Sequence, residues 1–251
     1  IKKNNLLNWN ESIKRLHASK DAKENQSKSF RRLVFDELCA NFFILSENRK
    51  RIKKEKLEKK FFQTISNEIK KKLPFELTKD QNLVLMKIYK DLSSQERMFR
   101  LLQGDVGSGK TIVAFFAILH VVENGYQGAL MTPTEILAYQ HYKFFKKFED
   151  YLNIKICLLT SKINKENKNN IINDIKNGKV NIVIGTHAII QSNVIFKNLR
   201  LAIIDEQHKF GVYQRLELSK KSPNTDFLVM TATPIPRTLV LTDYGDMDIS
   251  I

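Results

Sequence analysis

Glycine is scarce in this chain and unevenly placed. The 251 residues hold nine glycines, and none precedes Gly104. The segment ahead of Gly104 therefore lacks the residue that most readily makes tight turns, and its stretch from 30 to 72 reads as helix. Cysteine is scarcer still: the two, Cys39 and Cys157, each sit in apolar surroundings. Such a pair suggests buried thiols in a reducing compartment, with the cytoplasm as the default location, and excludes a disulfide framework or a cysteine metal site. No apolar run approaches the length of a membrane span, and no signal peptide opens the chain. The first residue is Ile1 and not Met, so a piece of a longer polypeptide is expected.

What is present is a globular composition, with 42% hydrophobic residues in periodic segments, at a length that suits one α/β domain and an appendage. The net charge of +15 is concentrated near the start. Residues 1–73 carry 20 Lys and Arg against 9 Asp and Glu, a net of +11; the remainder carries 22 against 18, a net of +4. A basic arm on a nearly balanced domain fits an electrostatic partner such as a nucleic-acid backbone. A Lys-rich composition of the kind found with abundant Asn and Ile is the plainer alternative.

The chain divides into a polar linker over 1–28, with a short helix around Asn10–His17, a helical basic connector over 29–73, and a domain over 74–251. In the connector, Phe30, Leu33, Val34, Leu38, Phe42 and Leu45 recur at three- and four-residue steps. Phe61, Ile65, Ile69 and Leu73 resume the pattern after a charged stretch, and Pro74 ends it. The lysines of 50–60 read better as the solvated face of a helix than as a nucleic-acid contact. From Leu83 onward, short apolar runs alternate with helical patterns. Strands are predicted at Arg100–Gln103, Ala129–Thr132, Lys155–Leu159, Asn181–Ile184, Leu201–Ile204 and Phe227–Met230. Helices are predicted at Thr111–Glu123, Glu135–Phe148, Lys165–Asn177, Val212–Lys220 and Ile235–Thr242. Leu201-Ala202-Ile203-Ile204 is apolar on both faces, as a strand inside a parallel sheet should be. The fold class is therefore α/β, a mostly parallel doubly wound sheet with ligands at the carboxyl ends of its strands.

The run Gly104-Asp105-Val106-Gly107-Ser108-Gly109-Lys110-Thr111 has the spacing G-x-x-x-x-G-K-[ST] between an apolar strand and a helix. Its glycines let backbone N–H groups turn inward around phosphate oxygens, and the helix that follows points its positive end at them. Lys110 would reach the terminal phosphates, and the Thr111 hydroxyl would hold a magnesium ion. An ordinary glycine-rich turn is the plainer alternative, but all four fixed positions and the strand–loop–helix context favour phosphate. About a hundred residues later a buried strand delivers Asp205 and Glu206. Asp205 would bind magnesium, and Glu206 would orient or deprotonate the water that attacks the γ-phosphate. A nucleoside triphosphate and Mg2+ are the ligands these residues imply. A nucleotide-binding module without catalysis is the alternative from another class; intact Lys110, Asp205 and Glu206 argue against it.

The order of the phosphate loop, Thr132-Pro133-Thr134-Glu135, Gly185-Thr186-His187, Asp205-Glu206-Gln207-His208 and Thr231-Ala232-Thr233 resembles the first motor lobe of superfamily 2 helicases and translocases, a RecA-like nucleotide-binding lobe. Longer strings are similar to the RecG-type ATP-dependent DNA helicases. These are the run from Leu102 to Thr111, Asp205 to Val212, Met230 to Leu239 and Tyr244 to Asp248. The resemblance runs from about Ser29 to Ile251. The bacterial transcription-repair coupling translocases share several strings but typically have Glu where this chain has Gln207.

The resemblance implies that the nucleotide is ATP, and it implies further roles. Gln81 matches a glutamine that reads adenine, whose edge an amide can both donate to and accept from. Thr132, Thr134, Gly185 and Thr186 match motifs that contact the DNA backbone; helix capping is the plainer role for such threonines. His208 would link the γ-phosphate site to Thr231 and Thr233 and couple hydrolysis to DNA movement. Phe75 could pack near the base, but a core aromatic after Pro74 is the plainer reading. Arg237, Gln214 and Arg215 could each contact DNA or a neighbouring domain, and the sequence does not choose between them. The implied function is ATP-dependent remodelling of branched DNA in recombination and repair. The family's wedge domain and second RecA-like lobe would be its partners outside this sequence. The second lobe carries an arginine of the kind worth about 10³–10⁵ in rate, so these 251 residues alone are expected to hydrolyse ATP very slowly.

Overall fold

The structure is a computed structural model of the chain, and it describes residues 6–18, 28–52, 56, 61–205, 218, 221–222, 224–233 and 247–250. Glu206, Gln207, His208, Gln214, Arg215 and Arg237 lie outside the described residues, as does almost all of the two helices predicted at 212–220 and 235–242. The described residues fall into two compact units, one within residues 1–51 and one within residues 52–235 together with 247–250.

In the first unit, helix α1 (Trp9–Ala18) and the long helix α2 (Lys28–Ile52) match the periodic segments. The apolar stripe of α2 stands half in solvent: Phe30, Val34, Leu38 and Phe42 are all exposed. Arg32 is buried by contrast, donating to the Asp36 carboxylate at 2.9 Å and to the Leu7 carbonyl at 3.2 Å.

The second unit holds a seven-stranded sheet: β1 (Phe99–Gln103), β2 (Gln127–Met131), β3 (Ile156–Leu159), β4 (Ile182–Gly185), β5 (Leu199–Asp205), β6 (Asp226–Thr231) and β7 (Asp248–Ser250). The spatial order is β3-β4-β2-β5-β6-β1-β7, and every pairing is parallel. Helix α3 (Thr64–Lys72) precedes α4 (Lys79–Ser93), α5 (Lys110–Val122), α6 (Glu135–Lys146), the short α7 (Glu149–Leu152) and α8 (Lys165–Lys176). The continuous helix expected over 30–72 is instead two, α2 and α3, with residues 61–63 non-helical. The six predicted strands are all present within a few residues; β7, at the edge beyond β1, was not anticipated.

Burial explains the topology. Every residue of α5 from Ile112 to Val122 is buried, so this helix is apolar all round and runs through the core, packed on β2 and β5. Leu102, Leu130, Ile184, Ile203 and Leu228 share one cluster with α4, α5 and α6. Their strand neighbours Leu101, Ala129, Val183, Ile204 and Val229 are also buried, although a strand points alternate side chains to opposite faces. Both faces are therefore covered, as a doubly wound parallel sheet requires.

At the amino-terminal edge of the sheet lies a buried knot of charge. Lys56 donates to both carboxylate oxygens of Asp226 at 2.7 and 2.8 Å and to the Asp91 carbonyl at 2.8 Å. The side chains of Lys56 and Asp226 are 0% exposed. Met98 N–H donates to Asp226 at 2.6 Å, and Arg200 Nε lies 3.4 Å from the same carboxylate. Burial pushes the Asp226 carboxyl up to about 6 against the pull of Lys56 and Arg200, and burial likewise lowers the Lys56 ammonium. The reading of 50–60 as a solvated helical face thus fails at Lys56, which is non-helical and buried. The reading of Phe75 as a core aromatic fails as well: it sits in the bend between α3 and α4 and is exposed. Of the two cysteines, Cys157 is buried in β3 and its thiol is pushed up to about 12 by that burial, whereas Cys39 on α2 is only partly covered.

Candidate nucleotide-binding site

β1 feeds straight into the glycine-rich loop. Gly107 and Gly109 take φ of +83° and +84°, in the left-handed region that glycine enters without penalty. Gly109 is also the N-cap residue of α5, and no side chain caps that helix. The positive end of a buried helix is therefore left for an anion. Lys110, at the first position of α5, donates from Nζ to the carbonyls of Gly104 at 2.7 Å and Asp105 at 2.9 Å. Its ammonium is held over the loop by the loop's own backbone. Asp105, Val106, Gly107 and Ser108 are exposed, and Thr111 is half-buried.

Gln81 is fastened to the same loop. In the capping box of α4, Thr78 Oγ1 accepts the Gln81 N–H and the Gln81 side-chain oxygen accepts the Thr78 N–H. Its amide nitrogen donates to the Ser108 carbonyl at 2.9 Å. Both ends of the amide thus join the start of α4 to the phosphate loop.

The parallel register brings the other motifs alongside. β6 lies between β5 and β1, with Asp205 opposite Met230 and Thr231 opposite Gln103. The Thr231 carbonyl accepts the Gly104 N–H at 3.3 Å, so the start of the phosphate loop is bonded to the end of β6. The Thr231 and Thr233 hydroxyls lie 2.8 Å apart, and Thr233 N–H donates to Thr231 Oγ1. Asp205 is buried at the exit of β5, with Oδ2 2.9 Å from His141 Nε2 on α6. Thr111 and Asp205 supply hard oxygen donors. Among the described residues no group of three or more His, Cys, Asp or Glu could hold a metal unaided. This donor set fits magnesium, which takes one or two carboxylates and completes its shell with substrate phosphates and water.

Thr132, Thr134, Gly185 and Thr186 come together at the ends of β2 and β4. Thr132 N–H donates to the Gly185 carbonyl at 2.9 Å, and its hydroxyl donates to the Thr134 carbonyl at 2.9 Å. Thr134 Oγ1 caps α6 by accepting the Leu137 N–H. Thr132, Gly185 and Thr186 are buried, and Thr134 is exposed. The capping role weighed from sequence is therefore present. Gly185 has its own constraint, since a Cβ there would lie 1.9 Å from the Leu159 carbonyl oxygen. Backbone cannot yield as a side chain can, so Gly185→Ala should destabilise the lobe by roughly 1–3 kcal/mol, the usual cost of overpacking. Urea denaturation would measure this; an unchanged midpoint would show that β3 and β4 separate freely.

Sequence reasoning missed His141. The available signal was positional: Ala138, His141 and Phe145 are the buried residues of α6, so a histidine occupies an otherwise apolar stripe.

A seven-stranded parallel sheet with a phosphate loop after β1 and an acid at the end of β5 defines a nucleotide-binding lobe of the phosphate-loop class. The DEAD/DEAH box helicase family model matches residues 78–241, and the chain belongs to that family. Its curated relatives narrow the likeness to the RecG ATP-dependent DNA helicases. The RecG of Aquifex aeolicus is 46% identical over 251 residues, covering 95% of this chain and 31% of the relative. That of Borreliella burgdorferi is 41% identical over 251 residues, covering 100% of this chain and 36% of the relative. A solved structure of RecG bound to a three-way DNA junction superposes with a TM-score of 0.84 at 41% identity, covering 99% of this chain and 33% of that one. The helicase MrfA shares the fold alone, with a TM-score of 0.59 at 18% identity. The chain thus spans about a third of the length of the RecG relatives it matches. Among the described residues no helix is long and apolar enough to cross a membrane.

Proposed function

We propose that this chain is the ATP-binding lobe of an ATP-dependent DNA helicase or translocase that remodels branched DNA, such as forks and Holliday junctions, in recombination and repair in the cytoplasm. The observation that carries the reading is the junction of three strand ends, where the phosphate loop, Thr231 and Asp205 meet in one register. The likeness to a RecG bound to a three-way junction supports branched DNA as the substrate. In this reading residues 74–251 are the motor lobe, residues 29–73 the connector and residues 1–28 a linker. A second RecA-like lobe and a wedge domain of the whole protein complete the machine.

Each residue then has a task. The loop N–H groups and the α5 end bind the phosphates, and Lys110 offsets the charge that develops on the γ-phosphoryl oxygens. Thr111 and Asp205 would hold a magnesium ion, whose positive charge would offset that of the phosphates. Glu206 orients the attacking water and accepts its proton. Gln81 exchanges a loop partner for the adenine edge. His208, Thr231 and Thr233 relay the state of the γ-phosphate. Thr134, with the backbone around Thr132, Gly185 and Thr186, meets the DNA phosphates, which position without reading sequence.

The test is DNA-stimulated ATPase of the full-length protein on forked, linear-duplex and single-stranded DNA, with Glu206→Gln as control. Fork-dependent turnover that the substitution abolishes is the expected result. Equal stimulation by linear duplex would point to a repair-coupling translocase, and no turnover on any DNA would leave a nucleotide-binding module.

A further inference from the structure

We propose that His141 is a positioning residue, whose Nε2–H holds the Asp205 carboxylate in the orientation that accepts the metal ion. The inference rests on the reading of Asp205 as a metal residue. His141 is 7% exposed and Asp205 8%, and their polar atoms meet at 2.9 Å. An ionised carboxylate only accepts, so the ring nitrogen is the donor. A polar side chain on the buried stripe of α6 is costly unless partnered, and Asp205 is the partner the structure provides. Oδ2 is held from the α6 side, which leaves Oδ1 for the cation. Asp205 is the last residue of β5, and the ladder bonds of the sheet hold its backbone but not its side chain. Without the histidine its carboxylate would rotate among several staggered positions and lose preorganisation. Hydrogen-bonding partners behind a metal ligand typically contribute about 10–100-fold in metal affinity or activity.

Two substitutions separate positioning from packing. His141→Gln carries its amide N–H to about the reach of Nε2, and His141→Asn carries the same group one carbon shorter. In the full-length protein, the affinity of Mn2+ for the ADP complex, read by electron paramagnetic resonance, should fall about 10-fold or more in His141→Asn and stay near wild type in His141→Gln. ADP affinity in the absence of metal should be unchanged in both. Magnesium titration of the ATPase should show the same order, with the Asn defect relieved at high magnesium. Wild-type Mn2+ affinity in His141→Asn overturns the proposal. Equal weakening in both variants, or failure of both to fold, also overturns it and assigns the contact to the packing of α6 on the sheet. Asp205→Asn is the control. If it binds Mn2+–ADP like wild type, the reading of Asp205 itself fails, whatever the His141 variants do.

Discussion

Full-length protein carrying Lys110→Ala should lose about two to three orders of magnitude of its DNA-stimulated ATPase, the scale set by removing one preorganised charge donor, and should melt at the wild-type temperature. Lys110 is half-buried at the first turn of α5, and its visible partners are two carbonyls of its own loop, Gly104 and Asp105. Losing them removes two surface-side bonds that water can replace, so the fold is little affected. The charge has no substitute. The loop N–H groups and the α5 end supply partial charges, while the ammonium is the mobile full charge able to follow the transferring phosphoryl group. Lys110→Arg should fare little better, because a planar fork cannot seat a point charge's donors in a loop shaped for an ammonium. Steady-state turnover beside a thermal melt decides it. Activity within a few-fold of wild type would remove the phosphate loop from the chemistry.

Lys56→Met should destabilise the lobe by about 3–5 kcal/mol, the cost of leaving one member of a buried ion pair alone. Asp226 would keep the Met98 N–H and the nearby Arg200 but lose both of its shortest cationic contacts. The pH dependence follows from the carboxyl. Its folded value of about 6 lies above the ordinary carboxylate range near 3.9, so the folded state is relatively favoured while Asp226 is protonated. That relative advantage is present at acid pH and is lost as pH rises through 6. Removing Lys56 raises the carboxyl further. The deficit of Lys56→Met should therefore be smallest near pH 4 and largest above pH 6. Adding Asp226→Asn should recover part of the loss, since an amide can be buried at less cost than an unpaired carboxylate. Urea denaturation at two pH values reads all three. A Lys56→Met lobe as stable as wild type would mean that the segment before α3 is not anchored to the sheet.

The local features of this protein are legible in its sequence. The phosphate loop announces itself because its function needs fixed residue types at fixed spacing, and the positive φ of Gly107 and Gly109 confirms why glycine stands there. β5 is readable because a strand buried on both faces has no polar alternation to hide it, and α5 because it is apolar all round. The strand ends were predictable sites because a parallel sheet gathers its carboxyl termini on one edge. Other features exist only once the chain has folded. His141 meets Asp205 across 64 residues, and Lys56 meets Asp226 across 170. One lysine in a run of lysines, or one histidine on a helix, carries no mark of a partner so distant. Gly185 looks like any motif glycine until the Leu159 carbonyl is found where its Cβ would stand. The sequence by itself determined the class of the lobe and the chemistry of its loop, because those depend on neighbours a few residues apart. Tertiary structure alone decided which lysine is buried, which histidine faces the acid and which threonine stays exposed, because burial and pairing are properties of packing between segments.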